Sequence, residues 1–188
     1  MARASGTAWP WLLADDSPRI IGLRAPDGYE TYLVQQWFGA FSSLVDQTAV
    51  ANEATPMEFE VTEINNNGIA IVDTTKITVS ATGVYNIQFS AQLENAGSQE
   101  RNISIWLAKN GTNVDNTNTQ ITVPKSHAGG AGQQVAAWNI YVRMTASDYV
   151  ELMWSTPNAE VSIQKIDAQT TPARPVTPSV ILTVNRVA

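Results

Sequence analysis

Gln134-Val-Ala-Ala-Trp-Asn-Ile-Tyr-Val-Arg-Met-Thr-Ala-Ser-Asp-Tyr-Val-Glu-Leu-Met-Trp-Ser-Thr156 alternates apolar and polar side chains on both sides of a short polar break. Ala136, Trp138, Ile140, Val142 and Met144 share one side of the first run, and Val150, Leu152 and Trp154 one side of the second. This is the period of two that a half-buried strand imposes. With only Ala146-Ser147-Asp148 between them, the two strands are expected to fold back on each other as an antiparallel hairpin. A hairpin with one apolar face is not stable alone in water, so other strands must cover it.

The same period recurs outward along the chain. Gly83-Val-Tyr-Asn-Ile-Gln-Phe-Ser-Ala-Gln-Leu93 places Tyr85, Ile87, Phe89, Ala91 and Leu93 on one face and amides or hydroxyls on the other. Arg101 to Lys109 turns Ile103, Ile105 and Leu107 inward and ends at Asn110-Gly111, a strong hairpin pair. Trp37 to Val45, Met57 to Val61, Ile69 to Val72, Lys76 to Val79, Gln120 to Val123 and Val161 to Ile163 read as further strands, closed by Ser179 to Asn185 deep in a sheet. Asp167 to Pro178 reads as an extended, proline-bearing connection, and Pro124 to Gly132 as a mobile glycine-rich loop. No helical period and no internal repeat is found. The expected fold is all-β, an antiparallel two-sheet sandwich over residues 37–188.

Residues 1–36 differ. Ile20 to Arg24 and Tyr29 to Val34 flank Ala25-Pro-Asp-Gly28 and are expected to form a short hairpin. Ahead of it lies an extended arm with Trp9, Trp11 and Leu12. Aromatic side chains of this kind anchor interfaces, or else pack within their own chain. Trp9, Trp11, Leu12, Ile20, Tyr29 and Tyr32 are the candidate attachment residues. The apolar run Trp9 to Ala14 is too short and too broken by proline to enter a membrane or act as an export signal.

Composition narrows the function. A chain of 188 residues, 44% apolar, can bury one sizeable core, and with no cysteine it has neither disulfides nor thiolate metal sites. Its net charge of −6, with no cluster of lysine or arginine, speaks against nucleic acid as a partner. His127 is the single histidine, and no nucleophile elbow or phosphate-binding loop occurs. Asp15-Asp16 and the Glu58/Glu60 pair are neighbouring acids, but such spacing does not set two carboxylates across a cleft. Neither catalysis nor a cofactor is expected.

In the order of its elements, the stretch from Trp37 to Ala188 resembles the trimeric jelly roll of the complement globular head and tumour-necrosis-factor type. The residues that carry the resemblance are the opening aromatic strand, Gly83-Val-Tyr-Asn-Ile-Gln-Phe-Ser-Ala91, Asp148-Tyr-Val-Glu-Leu-Met-Trp154 and Pro178-Ser-Val-Ile-Leu-Thr-Val184. More narrowly, it is similar to the versions carried by tailed-bacteriophage virion proteins, behind a short N-terminal attachment segment. The resemblance implies a homotrimer. The family's calcium ligands find no match here: Asp115-Asn-Thr-Asn-Thr119 lacks the sixth-position glycine, and Ser126 stands where the twelfth-position glutamate would.

On the other face of the opening stretch sit Val135, Ala137, Tyr141, Tyr149 and Met153, apolar for a surface that meets only water, and Trp106 opposes the core side of its own strand. Trp106, Tyr141, Tyr149 and Met153 are the candidate trimer-interface residues, the alternative being that they pack beneath loops. The leading expectation is a non-enzymatic virion protein, a trimeric capsid decoration or cement protein whose arm grips the major capsid protein or another virion protein. The alternative is a tail-fibre or head-fibre module that binds a host surface glycan or protein through Asn110 to Asn118 and Pro124 to Gly132. Asn113, Asn116 and His127 are its candidate contact residues. A cytokine-like secreted ligand is disfavoured by the missing export signal.

Overall fold

The computed structural model describes residues 20–24, 30–34, 36–64 and 66–188. The chain divides into two compact units, Met1–Gln35 and Gln36–Ala188. In the first, Ile20–Arg24 and Glu30–Val34 pair antiparallel, with Ile20 opposite Val34 and Gly22 opposite Tyr32. The expected hairpin is therefore present. Trp9, Trp11, Leu12, Tyr29 and the Asp15-Asp16 pair lie outside the described residues.

The second unit is a sandwich of two antiparallel seven-stranded sheets. One sheet, called here the amide sheet, runs Gly132–Met144, Gly83–Asn95, Val180–Arg186, Phe38–Ser43 and Val61–Thr62 in spatial order. Val161–Ile163 and Gln47–Thr48 complete it beyond the start of Val180–Arg186. The opposite sheet runs Arg101–Lys109, Tyr149–Ser155, Lys76–Val79 and Ile69–Val72. Thr112–Asn113 and Thr119–Val123 flank Arg101–Lys109 on its far side, and Thr55–Pro56 adds to Tyr149–Ser155.

The inward residues read from the period of two are the core. Tyr85, Ile87, Ala91, Ile103, Ile105, Leu107, Ala136, Met144, Val150, Leu152 and Trp154 are fully buried. Phe89 and Trp138 meet edge to face at 4.7 Å between ring centroids, a geometry that suits their opposed quadrupoles. The closing strand, Val180–Arg186, lies between Gly83–Asn95 and Phe38–Ser43, with Val180, Leu182 and Val184 buried and Ile181, Thr183 and Asn185 turned outward.

The expected hairpin at Ala146-Ser147-Asp148 does not form. Gly132–Met144 pairs along its whole length with Gly83–Asn95, whereas Tyr149–Ser155 pairs with Arg101–Lys109 in the other sheet. The break is a crossing between sheets. Ser147 takes φ 74° there, and the Asp148 carboxylate accepts from the Thr145 N–H at 2.8 Å and from Asn110 Nδ2 at 2.8 Å. Asp148 thus fastens the end of one sheet to a turn of the other. The Met57 to Val61 run is likewise a crossing: the Met57 N–H donates to Leu152, that of Phe59 to Thr74, and Val61–Thr62 then joins the amide sheet.

Two connections are more ordered than their composition suggests. Pro124 to Gly132 folds as a tight turn, His127 and Gly130 exchanging backbone hydrogen bonds at 2.9 and 3.0 Å. Asp167 to Pro178, read as a simple extended link, belongs to a hairpin finger. Ile166 pairs with Thr177, Gln169 with Arg174 and Thr170 with Ala173 around a cis Thr171–Pro172 bond.

Candidate functional site

Along Gly132–Met144 the even-numbered residues face the core and the odd-numbered ones face outward. The ladder continues that outer face across four strands. Ser42, Ile181, Ser90 and Ala137 form one row, Ala40, Thr183, Gln88 and Asn139 the next, and Phe38, Asn185, Asn86 and Tyr141 a third. Among the described residues charge stands at the margins of this face: Arg143 opposite Val84, Glu94 opposite Gln133, and Glu63, whose carboxylate accepts from Ser42 Oγ beyond the Phe38–Ser43 side. Tyr141 is 61% exposed, Val135 49% and Ile181 40%. Asn139 Nδ2 donates to Asn86 Oδ1 at 3.0 Å, and Thr183 Oγ1 to Gln88 Oε1 at 3.3 Å, so neighbouring strands hold each other's amides in place. Depletion of charge, retention of short neutral polar groups and an exposed tyrosine are what the centre of a protein interface requires.

Gly132–Met144 is also the border strand of this sheet. Its carbonyls at Val135 and Arg143 accept side-chain amino groups from Gln134 and Lys109 rather than ladder hydrogen bonds. Successive residues of a strand aim their backbone groups to opposite sides. The odd residues that carry the outer face therefore also carry the open edge. No proline interrupts the run, and Arg143 is its one charged residue.

The four candidate trimer-interface residues divide between two faces. Tyr141 lies on the amide sheet, with Val135 and Ala137. Trp106, Tyr149 and Met153 lie on the outer face of the opposite sheet, and each is half-buried and engaged within the chain. Trp106 is paired with Met153, which is paired with Pro56, and its indole N–H donates to Asn113 Oδ1 at 2.8 Å. Lys76 Nζ stands 5.5 Å from the centre of the Tyr149 ring. Their expected grouping in one patch rested on the hairpin that does not form.

The candidate recognition loops are separated too. Asn110 to Asn118 follows the end of Arg101–Lys109, while Pro124 to Gly132 begins beside its start, because Val123 is opposite Arg101. Nine strand residues put these ends about 26 Å apart. Asn113 is occupied by Trp106, and Thr117 folds the loop by donating to the Val114 carbonyl and accepting from the Leu107 N–H. Asn116, at φ 62°, and His127 are exposed turn residues. Glu58 and Glu60 are exposed, and Glu60 accepts from the Leu44 N–H, an anchoring contact. Among the described residues no group of three acids or histidines is placed to hold a metal ion.

No family model matches the chain, and no curated protein matches its sequence. Solved structures do match its shape. Eiger TNF from S. frugiperda aligns at TM-score 0.54 with 13% identity, over 81% of this chain and 93% of that one. Murine APRIL at pH 5.0 aligns at TM-score 0.52 with 10% identity, over 81% of this chain and all of that one. At such identities the likeness establishes a tumour-necrosis-factor-like jelly roll.

Proposed function

We propose that this chain is a non-enzymatic bacteriophage virion structural protein: a homotrimer that associates through the outer face of the amide sheet and is held on the capsid, as a decoration or cement protein, by residues 1–36. The observation that carries the self-association is that face, with Tyr141, Ile181 and Ala137 among neutral amides and charge kept to its margins, at Arg143, Glu94 and Glu63. Three copies that each lend one weak N-terminal contact would grip a repeating shell far more tightly than one, because the second and third contacts form at high effective concentration. The division of the chain at Gln35–Gln36 suits such a division of labour.

Native mass measurement of the full chain tests the association: a trimer is expected, and a monomer at every concentration would defeat it. Co-sedimentation with the particles tests attachment. Residues 37–188 are expected to remain trimeric and stay in the supernatant, and continued binding would overturn the role given to residues 1–36. The receptor-binding alternative, at a head or tail fibre, lacks a comparable observation, since its loops lie at opposite ends of one strand.

A further inference from the structure

The finger leaves the amide sheet from within it rather than from its rim. Val161–Ile163 and Val180–Arg186 lie end to end against the same side of Gly83–Asn95, and the chain departs at the gap between them. Both limbs are fixed on one residue: the Gln164 N–H donates to the Gln92 carbonyl at 2.8 Å, and the Gln92 N–H donates to the Ser179 carbonyl at 2.8 Å. On the other flank the Ser179 N–H donates to Ser43, and the Lys165 N–H to Asp46. Strands thus bound the exit on both sides, and the fully buried Leu93, Ile163 and Val180 fill the space beneath it. Only the outer side is open.

Ile166 accordingly lines a shallow depression of about 130 Å³ with Gln92, Glu94, Gln133 and Val135 of the outer face, Leu93, Gln134 and Gln164 completing it. Residues 166–175 are all exposed, and among the described residues the one polar tie of 167–175 to the sandwich is at the root, where Asp167 pairs with Lys165 at 2.8 Å. A finger lying flat would bury one of its sides, so it stands off the face. From Ile166 to Thr171 its limb is about 16 Å long. Its root is one step, about 7 Å, from the Ser42–Ile181–Ser90–Ala137 row.

We infer that the finger determines how a second copy of this chain can seat on the outer face, an inference that rests on the self-association proposed above. Two copies laid flat against each other about a twofold axis would bring their sheets to about 10 Å, the spacing at which sheets pack. Each finger would then run into the partner's sandwich. That flat, centred twofold arrangement does not accommodate the fingers. The collision is avoided by an off-centre seating in which the face of one copy meets a different surface of the next, with the finger as a wall beside it. Such head-to-tail contacts close as rings, of which the trimer is one.

Replacing Asp167–Val176 with Asn-Gly, which closes Ile166 to Thr177 by a two-residue turn, removes the wall and leaves its root. Circular dichroism establishes that the variant folds, and native mass spectrometry reads its assembly. We expect the single trimer mass of the parent to give way to a population containing dimer. A variant with the parent's single mass and dissociation concentration would overturn the inference. A parent that stays monomeric would remove the premise, and the finger's role with it. Should the shortened chain not fold, a lone thiol serves instead, since the chain has no cysteine. Alkylation of Gln169→Cys is expected to slow several-fold as protein concentration rises through association, and a rate independent of concentration overturns the wall.

Discussion

Asn95 Nδ2 donates to the Pro124 carbonyl at 3.0 Å and thereby joins the end of one sheet to the exit of the other. The same amino group reaches the Gln99 carbonyl at 2.8 Å, and Asn95 Oδ1 accepts from the Gly97 N–H at 2.9 Å. Asn95 is fully buried, so water cannot replace these partners. Asn95→Leu keeps the volume and strands them, at a cost of about 2–4 kcal/mol. The expected result is a lower denaturant midpoint with an unchanged slope in equilibrium unfolding. A midpoint like the parent's would show that Asn95 does not hold the two sheets.

Two glycines of the neighbouring turn separate backbone clash from backbone strain. A Cβ on Gly132 would meet the Pro124 carbonyl oxygen at 1.9 Å, whereas one on Gly129 would meet nothing within 4 Å. Gly129 has φ +85°, so Gly129→Ala costs about 1–2 kcal/mol through conformation alone. Gly132→Ala must displace the chain that Asn95 holds, and is expected to cost more, about 3 kcal/mol. Thermal unfolding of both variants ranks them, and the reverse order would overturn the close approach of Gly132 to Pro124.

Asp148 supplies an acid-sensitive part of the stability. Hydrogen bonds from the Thr145 N–H and the Asn110 amide, with Lys109 nearby, hold its carboxyl below the ordinary value of 3.8. A carboxylate depressed on folding stabilises the fold above its unfolded pKa and loses that contribution as pH falls through the folded value. Asp148→Asn is therefore expected to be less stable than the parent at pH 7, by about 1–2 kcal/mol. The gap should narrow below about pH 4. Unfolding curves at the two pH values check this, and a gap that widens on acidification would contradict it.

How far the sequence could be read follows from what a period of two encodes. It reports which face a side chain takes, and Ile103, Ile105, Leu107, Tyr85 and Ile87 all lie where it places them. It does not report which strand lies alongside. A three-residue break serves a hairpin and a crossing equally well until Asp148 is seen to bond Asn110, and that contact spans 38 residues. A misplaced neighbour propagates: a hairpin at Ala146-Ser147-Asp148 would join Tyr141 and Tyr149 on one surface, whereas their strands belong to different sheets. The finger is not legible in the sequence because Pro172, Pro175 and Pro178 mask its pairing, and its two limbs are joined through Gln92, far away in the chain. The neutral outer face was legible in principle, since Asn86, Gln88, Ser90 and Gln92 already alternate there.

The division of the interface candidates gives opposite expectations for two aromatic residues. Tyr141 is 61% exposed and makes no side-chain hydrogen bond among the described residues, so Tyr141→Glu should leave the folded monomer nearly as stable as the parent. In an assembled face it would bury a carboxylate without a partner, at several kcal/mol per contact, and shift the native mass from trimer to monomer. Trp106 is packed against Met153 and bonded to Asn113. Trp106→Ala should cost about 2–3 kcal/mol of stability by the lost burial and hydrogen bond while the assembled mass stays unchanged. Mass and unfolding measured on both variants decide between the sheets: association lost with Trp106 and kept with Tyr141→Glu would move the interface to the opposite sheet.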